Sequence, residues 1–123
     1  MDFSLDQETA ALRDRVRAFL EEAVIPREGE VAKDLGRMEG VLGELQKEAK
    51  ARGLFLPHMP KELGGLGLSW RQLAVVLEEA GWSLLGPRAL NAAAPDEGNM
   101  HLLHRVANEA QKRRYLYPLL SGE

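Results

Sequence analysis

Cysteine is absent from this sequence, which excludes disulfide-stapled folds, thiol nucleophiles and thiolate metal sites together. Aromatic residues are also scarce, at 6% of the chain, so the core has to be built mainly from Leu, Val and Ala. That mixture suits helix packing better than a β-sandwich. No apolar run approaches the length that spans a bilayer, and MDFSLDQE at the N-terminus lacks a basic region followed by an apolar one. The expectation is a cytoplasmic protein with no membrane span. Basic excess is missing too. The formal net charge is −3; residues 1–50 hold twelve acidic and eight basic side chains, the remainder seven and eight. Neither half offers the positive surface that a nucleic-acid partner requires.

What is present is a globular composition, 45% hydrophobic and 28% charged, in 123 residues, enough for one domain spanning 1–123 with a single core. Five helical segments can be read, and no convincing strand. Leu12, Val16, Phe19, Leu20 and Ala23 fall on one face of the first, with Asp6 as N-cap and Pro26 as its expected end. Residues 27–37 are charged and aperiodic and read as a loop or frayed helix. Met38, Leu42, Leu45 and Ala49 mark the second helix. Gly53 is expected in the left-handed position after it, and Leu54 folds back on its last turn.

A turn-rich connection from Leu56 to Ser69 follows. Its Gly64-Gly65-Leu66-Gly67 run fits neither the dinucleotide nor the Walker spacing. Ser69 with Gln72 predicts a capping box, with Leu68 and Leu73 in the staple positions. Leu73, Val76, Leu77 and Ala80 then form a buried stripe. Gly81 is expected to close this helix in the left-handed conformation, with Trp82 covering Leu77, while Glu78 and Glu79 point outward. Gly86-Pro87 opens a short helical piece, and Asp96 is expected to cap the helix that buries Met100, Leu103 and Ala107. Asn108 with Gln111 predicts a second capping box. The last helix carries Tyr115, Leu116, Leu119 and Leu120, bends at Pro118 and stops at Gly122. The expected architecture is all-α, an antiparallel domain of about five or six helices.

Candidate chemistry is thin. Glu97, His101 and His104 can share one helix face, but no fourth metal ligand is evident and the plain reading is a polar surface; no metal is expected. None of the four serines lies in an elbow motif or beside a base. Lys112-Arg113-Arg114 reads as a solvated face.

The order of several motifs is more telling. Phe3-Ser4-Leu5-Asp6-Gln7-Glu8 with Leu12-Arg13-Asp14 and Val16-Arg17-Ala18-Phe19 opens the chain. Gly53-Leu54 comes next, then Pro60, Glu62 and Gly64-Gly65-Leu66-Gly67-Leu68-Ser69, then Leu77-Glu78-Glu79-Ala80-Gly81. Gln111-Lys112, Tyr115-Leu116, Pro118-Leu119-Leu120 and Gly122-Glu123 close it. This ordered set resembles the N-terminal helical domain of the acyl-CoA dehydrogenases over nearly the whole chain. Ala94-Pro95-Asp96 with Gly98-Asn99-Met100 further resembles the subgroup associated with long or unusual acyl chains.

The resemblance implies part of a dimeric or tetrameric flavoenzyme that desaturates an acyl-CoA thioester at its α and β carbons. In that family a glutamate removes the α proton, FAD accepts a hydride, and an electron-transfer acceptor reoxidises the flavin. It also implies that a flavin-binding β-domain and a helical domain bearing the glutamate would follow Glu123. This chain alone is therefore expected neither to hold FAD tightly nor to turn over substrate. The family's fourth-helix region lines the acyl pocket, which here places Leu90, Ala94, Pro95 and Asn99 nearest the acyl tail, with Gly98 leaving room. Ala92, Ala93 and Ala94 would allow a deep pocket, although small residues also simply permit close packing. Two other readings are a stand-alone helical interaction module derived from that family and a small metal-dependent protein. A fragment of the enzyme is expected to expose an apolar docking face and to self-associate through it.

Overall fold

A computed structural model describes residues 3–123. The stretch read above for an export signal begins with Met1 and Asp2, which lie outside the described residues. Among those described, the chain is helical without a strand.

The first unit is longer than the proline suggests. Helix α1, Gln7–Phe19, begins at Asp6, whose carboxylate accepts from the Thr9 N–H at 2.8 Å and from the Thr9 hydroxyl at 3.0 Å. These bonds to Thr9 hold the Asp6 carboxyl below its ordinary pKa, since they favour the charged form. The helix then widens into a π-turn over Leu20–Val24 and continues as α2, Ile25–Lys33. Pro26 therefore does not end the helix. In a regular α-helix its ring would collide with the carbonyl four residues back. The π-turn relieves this: Ile25 donates to Leu20, five residues back, and the chain runs on. The same device recurs before Pro118, where Tyr117 donates to Lys112 across a π-turn over Lys112–Leu116.

The charged stretch 27–37, read as a loop or frayed helix, is thus largely α2. It lacks apolar periodicity because polar contacts hold it. Arg27 donates to Glu30 and to Glu44, Arg37 pairs with Glu30 at 3.0 Å, and Glu28 accepts from the Ser83 hydroxyl at 2.6 Å. Val31 is its one buried side chain.

Helix α3, Met38–Ala51, ends as its sequence implies. Gly53 is left-handed at φ 67°, and its N–H donates to Lys50 while that of Leu54 donates to Ala49. Helix α4, Trp70–Ala80, carries the predicted capping box at Ser69 and Gln72 and buries Leu73, Val76 and Ala80. Its C-terminus differs from expectation. Gly81 stays right-handed at φ −68°, and Trp82 is 77% exposed rather than folded over Leu77. The glycine this corner needs is Gly86, where a Cβ would come within 2.1 Å of the Ala80 carbonyl oxygen.

Helix α5, Gly86–Ala89, is a single turn packed on α3. Helix α6, Asp96–Val106, starts after Pro95; Asp96 lies inside its first turn and makes no cap hydrogen bond, which corrects the predicted cap. Asn108 and Gln111 form the second capping box at the head of α7, Glu109–Gln111. The second π-turn leads on to α8, Tyr117–Ser121, closed by Gly122 at φ 90°. The pieces make six helical units: the rod 7–33, α3, α4, α5, α6 and the closing rod. Helix α1 packs on α4, and α6 packs on the closing rod. Val16, Phe19, Val24, Ala49, Met59, Val76, Leu90, Met100 and Leu116 fill the space between them.

Candidate functional site

Between α3, the α5–α6 connection and the end of α8 lies a cleft of about 650 Å³. Local turns shape it. Asn91 adopts φ 55°, a conformation that asparagine tolerates better than most residues, and its side-chain amide donates to the Leu119 carbonyl at 2.8 Å. Gln46 spans the other side, donating to the Arg88 carbonyl at 3.0 Å. Ala93, Ala94 and Pro95, the last joined by a cis peptide bond, form an apolar wall with Leu42 and Leu119. Glu39, Arg88 and Asp96 stand on the lining as well, so the cleft is apolar on part of its surface and charged on the rest.

The five residues singled out in the sequence divide within this frame. Ala94 and Pro95 line the cleft. Leu90 lies in the core with no exposed surface, and its carbonyl accepts from the Leu56 N–H at 3.0 Å. Gly98 and Asn99 are exposed on the first turns of α6 and do not line the cleft. The alanine triplet divides too: Ala92 packs into the core at 7% exposure, while Ala93 and Ala94 border open space.

Other placements differ from the sequence reading. Glu79 does not point outward. It is 7% exposed and receives both Nε and Nη2 of Arg17, at 3.1 and 2.6 Å, a bidentate pair joining α4 to α1. This pairing raises the Arg17 pKa above its ordinary value, chiefly through the hydrogen bonds to Glu79. His101 is not a plain surface residue either. Its ring meets that of His58 at 5.4 Å between centroids, and its Nε2 lies 3.5 Å from Glu97 Oε1. Among the described residues no three His, Asp or Glu side chains are arranged to hold a metal ion.

His58 escaped the sequence reading altogether. It belongs to the buried run Leu54–Met59, and burial pushes its imidazole pKa down to about 4 from 6.5, with a smaller contribution from the charge of His101. A histidine flanked by Pro57 and Met59 is the only signal its sequence carries. Leu56 was equally hidden. It sits at φ 55°, rare for a bulky side chain, held by its N–H bond to Leu90 and by its carbonyl, which accepts from Met59 and Leu66.

The glycine-rich loop is closed upon itself. Gly64 donates to Lys61, Gly65 to Pro60, Leu66 to Leu56 and Gly67 to Met59. With these amides engaged, the loop has no backbone nest for a phosphate. None of the helix starts offers the strand-preceded phosphate turn of a nucleotide fold, since no strand occurs among the described residues.

Comparison with known proteins places this geometry in a family. A family model described as the acyl-CoA dehydrogenase N-terminal domain matches residues 6–123. The Mycobacterium tuberculosis protein named probable acyl-CoA dehydrogenase FadE2 is 36% identical across the whole of this chain. Acyl-CoA dehydrogenase family member 11 of Mus musculus is 36% identical over 89% of it. A solved structure from Mycobacterium abscessus, itself assigned to the acyl-CoA dehydrogenases, superposes with a TM-score of 0.86 at 35% identity over 98% of this chain. The chain spans 31% of the length of the first relative, 15% of the second and 33% of the solved structure. On the strength of these matches, the chain belongs to the acyl-CoA dehydrogenase family as its N-terminal domain.

Proposed function

We propose that this domain supplies one wall of the acyl-chain pocket of an FAD-dependent acyl-CoA dehydrogenase. The observation that carries the reading is the cleft wall of Ala93, Ala94 and Pro95, where small apolar side chains border about 650 Å³ of open space. An acyl tail gains by leaving water for such a surface, in proportion to the apolar area covered. Ala94 and Pro95 would meet the tail directly. Leu90 would support that wall from the core, and the exposed first turns of α6 at Gly98 and Asn99 would adjoin it from the solvent side.

In this reading the domain does not hold the flavin by itself, which the engaged amides of its glycine-rich loop support. FAD, the base that abstracts the α proton and the contact with an electron acceptor therefore belong, in this reading, to parts of the longer proteins beyond the third spanned here. On its own the domain would neither retain FAD nor turn over an acyl-CoA.

The test replaces Ala94 by Phe in a longer enzyme carrying this domain. The kcat/KM for long-chain acyl-CoA should fall about tenfold or more relative to that for a short-chain substrate, because a phenyl ring fills the far end of the pocket. An unchanged ratio would remove Ala94 from the pocket wall.

A further inference from the structure

Two imidazoles meet where the segment Leu54–Met59 passes under α6. His58 is 8% exposed, and neither its Nδ1 nor its Nε2 has a hydrogen-bond partner. The His101 ring stands against it at 66° between planes, with its own buried Nε2 also lacking a hydrogen bond. Buried ring nitrogens of this kind are normally satisfied, so an edge-to-face pair with three orphaned nitrogens is unusual for a purely structural contact.

The segment behind His58 is fixed. Leu56 donates to Leu90, Gly67 donates to Met59, and a Cβ on Gly65 would come within 2.0 Å of the Met59 carbonyl oxygen. The main chain that carries His58 is therefore held in place, whereas α6 presents an outer face to solvent at Leu102 and Val106.

A neutral ring is tolerated there, but a cation is not. The surrounding elements carry Lys61 and Glu62 in the turn after His58, Arg71 on α4, and Glu97, His104 and Arg105 on α6. The charge that opposes a proton on His58 comes from a further residue of α6, His101. His101 has a different option, because Glu97 lies one turn earlier on its own helix, within 3.5 Å of its Nε2. His58 has no such carboxylate, and neither of its ring nitrogens has a hydrogen-bond partner.

We propose that the His58–His101 contact is a proton-operated latch between the Leu54–Met59 segment and α6, closed while the His58 ring is neutral and released as that ring takes up a proton. The sign follows from burial. His58 is held below its unfolded value, so the unfolded or opened chain binds more protons between about pH 6.5 and about pH 4. The latch is fully closed above that window and loses its advantage as pH falls through it. Helix α6 begins at Asp96, directly after Ala94 and Pro95, so release loosens the helix that anchors one edge of the cleft. This rests on the ring geometry and not on what the cleft holds.

Trp70 reports on the pair, with its ring 6.4 Å from that of His101. The 123-residue chain with Trp82→Phe leaves Trp70 as the single indole, since only two tryptophans are present. Trp70 emission, far-UV circular dichroism and the imidazole Cε1–H resonances are followed from roughly pH 8 to pH 4, across the histidine range. With the titration carried on to roughly pH 3 so that the step completes, the expected result is a change in Trp70 emission that tracks the His58 resonance, centred well below the ordinary imidazole value, while helical content holds. A His58 resonance titrating at the ordinary imidazole value overturns the latch, and this needs no further variant. So does an emission step that survives unchanged in His58→Phe, or one that coincides with loss of helical signal.

Discussion

At the scale of single residues, the same amino acid plays opposite parts according to its backbone surroundings. Gly65 and Gly40 show this. An alanine Cβ at 65 would meet the Met59 carbonyl oxygen at 2.0 Å, whereas at 40 it would find nothing within 4 Å, in the first turn of α3. Gly65→Ala should therefore destabilise by about 1–3 kcal/mol through overpacking against a rigid backbone. Gly40→Ala should stabilise by about 1 kcal/mol through helix propensity. Urea unfolding of the two variants beside the parent checks both signs at once. The Arg17–Glu79 pair makes a related point. Glutamate 79 reads from the sequence as one of two solvent-facing acids, and only the meeting of α1 with α4 turns it inward onto a guanidinium.

At the scale of elements, three of the four N-caps read from the sequence hold, Asp96 being the exception, while the break expected at Pro26 does not occur. Asp6, Ser69 and Asn108 each hold the backbone N–H three residues on, as their spacing implies, because capping is a contact between neighbours in sequence. Ser69→Ala and Asn108→Ala should each cost about 1 kcal/mol, the usual loss for a cap, with amide exchange quickening first at the head of the affected helix. Exchange that rises uniformly along the chain in Ser69→Ala would show the cap to be irrelevant to α4. The prolines behave otherwise. Pro26 reads as a helix end and Pro118 as a bend, and both lie inside rods that a π-turn carries past them. The π-turn suits the packing: Leu20 and Val24 within the first rod, and Leu116 in the second, are all buried. Burial of those side chains outweighs the proline's local preference for a stop.

At the scale of the whole molecule, the distribution of exposed apolar residues is the feature with consequences. Leu102 and Val106, one turn apart on the outer face of α6, are 58% and 71% exposed, and Trp70 and Leu84 are more exposed still. Isolated exposed hydrophobics are ordinary, but a pair repeating at one helical turn makes a stripe. The chain is expected to associate in a concentration-dependent way, and Leu102→Glu with Val106→Glu should abolish this while leaving the helical signal intact. Sedimentation velocity across a hundredfold concentration range reads the outcome; a monomer at every concentration would show the stripe to be too small to drive association. Among the described residues no helix is long and apolar enough to cross a membrane.

The sequence by itself determined the all-α class, the faces of α1, α3 and α4, the caps at Asp6, Ser69 and Asn108, the left-handed Gly53 and the stop at Gly122. All of these depend on spacings within one or two helical turns. Its ordered motifs also pointed to the acyl-CoA dehydrogenase family. Only the tertiary structure decided the rest. It carried the first helix through Pro26, turned Glu79 onto Arg17, moved the demanding glycine of the α4 corner from 81 to 86, and brought His58 against His101 from 43 positions away. It also parted Ala94 and Pro95, on the cleft, from Leu90 beneath it. The physical reason is the same throughout. Local rules know a residue's neighbours in the chain, whereas burial, ion pairing and the charge a buried imidazole can bear depend on neighbours that only the packed fold supplies.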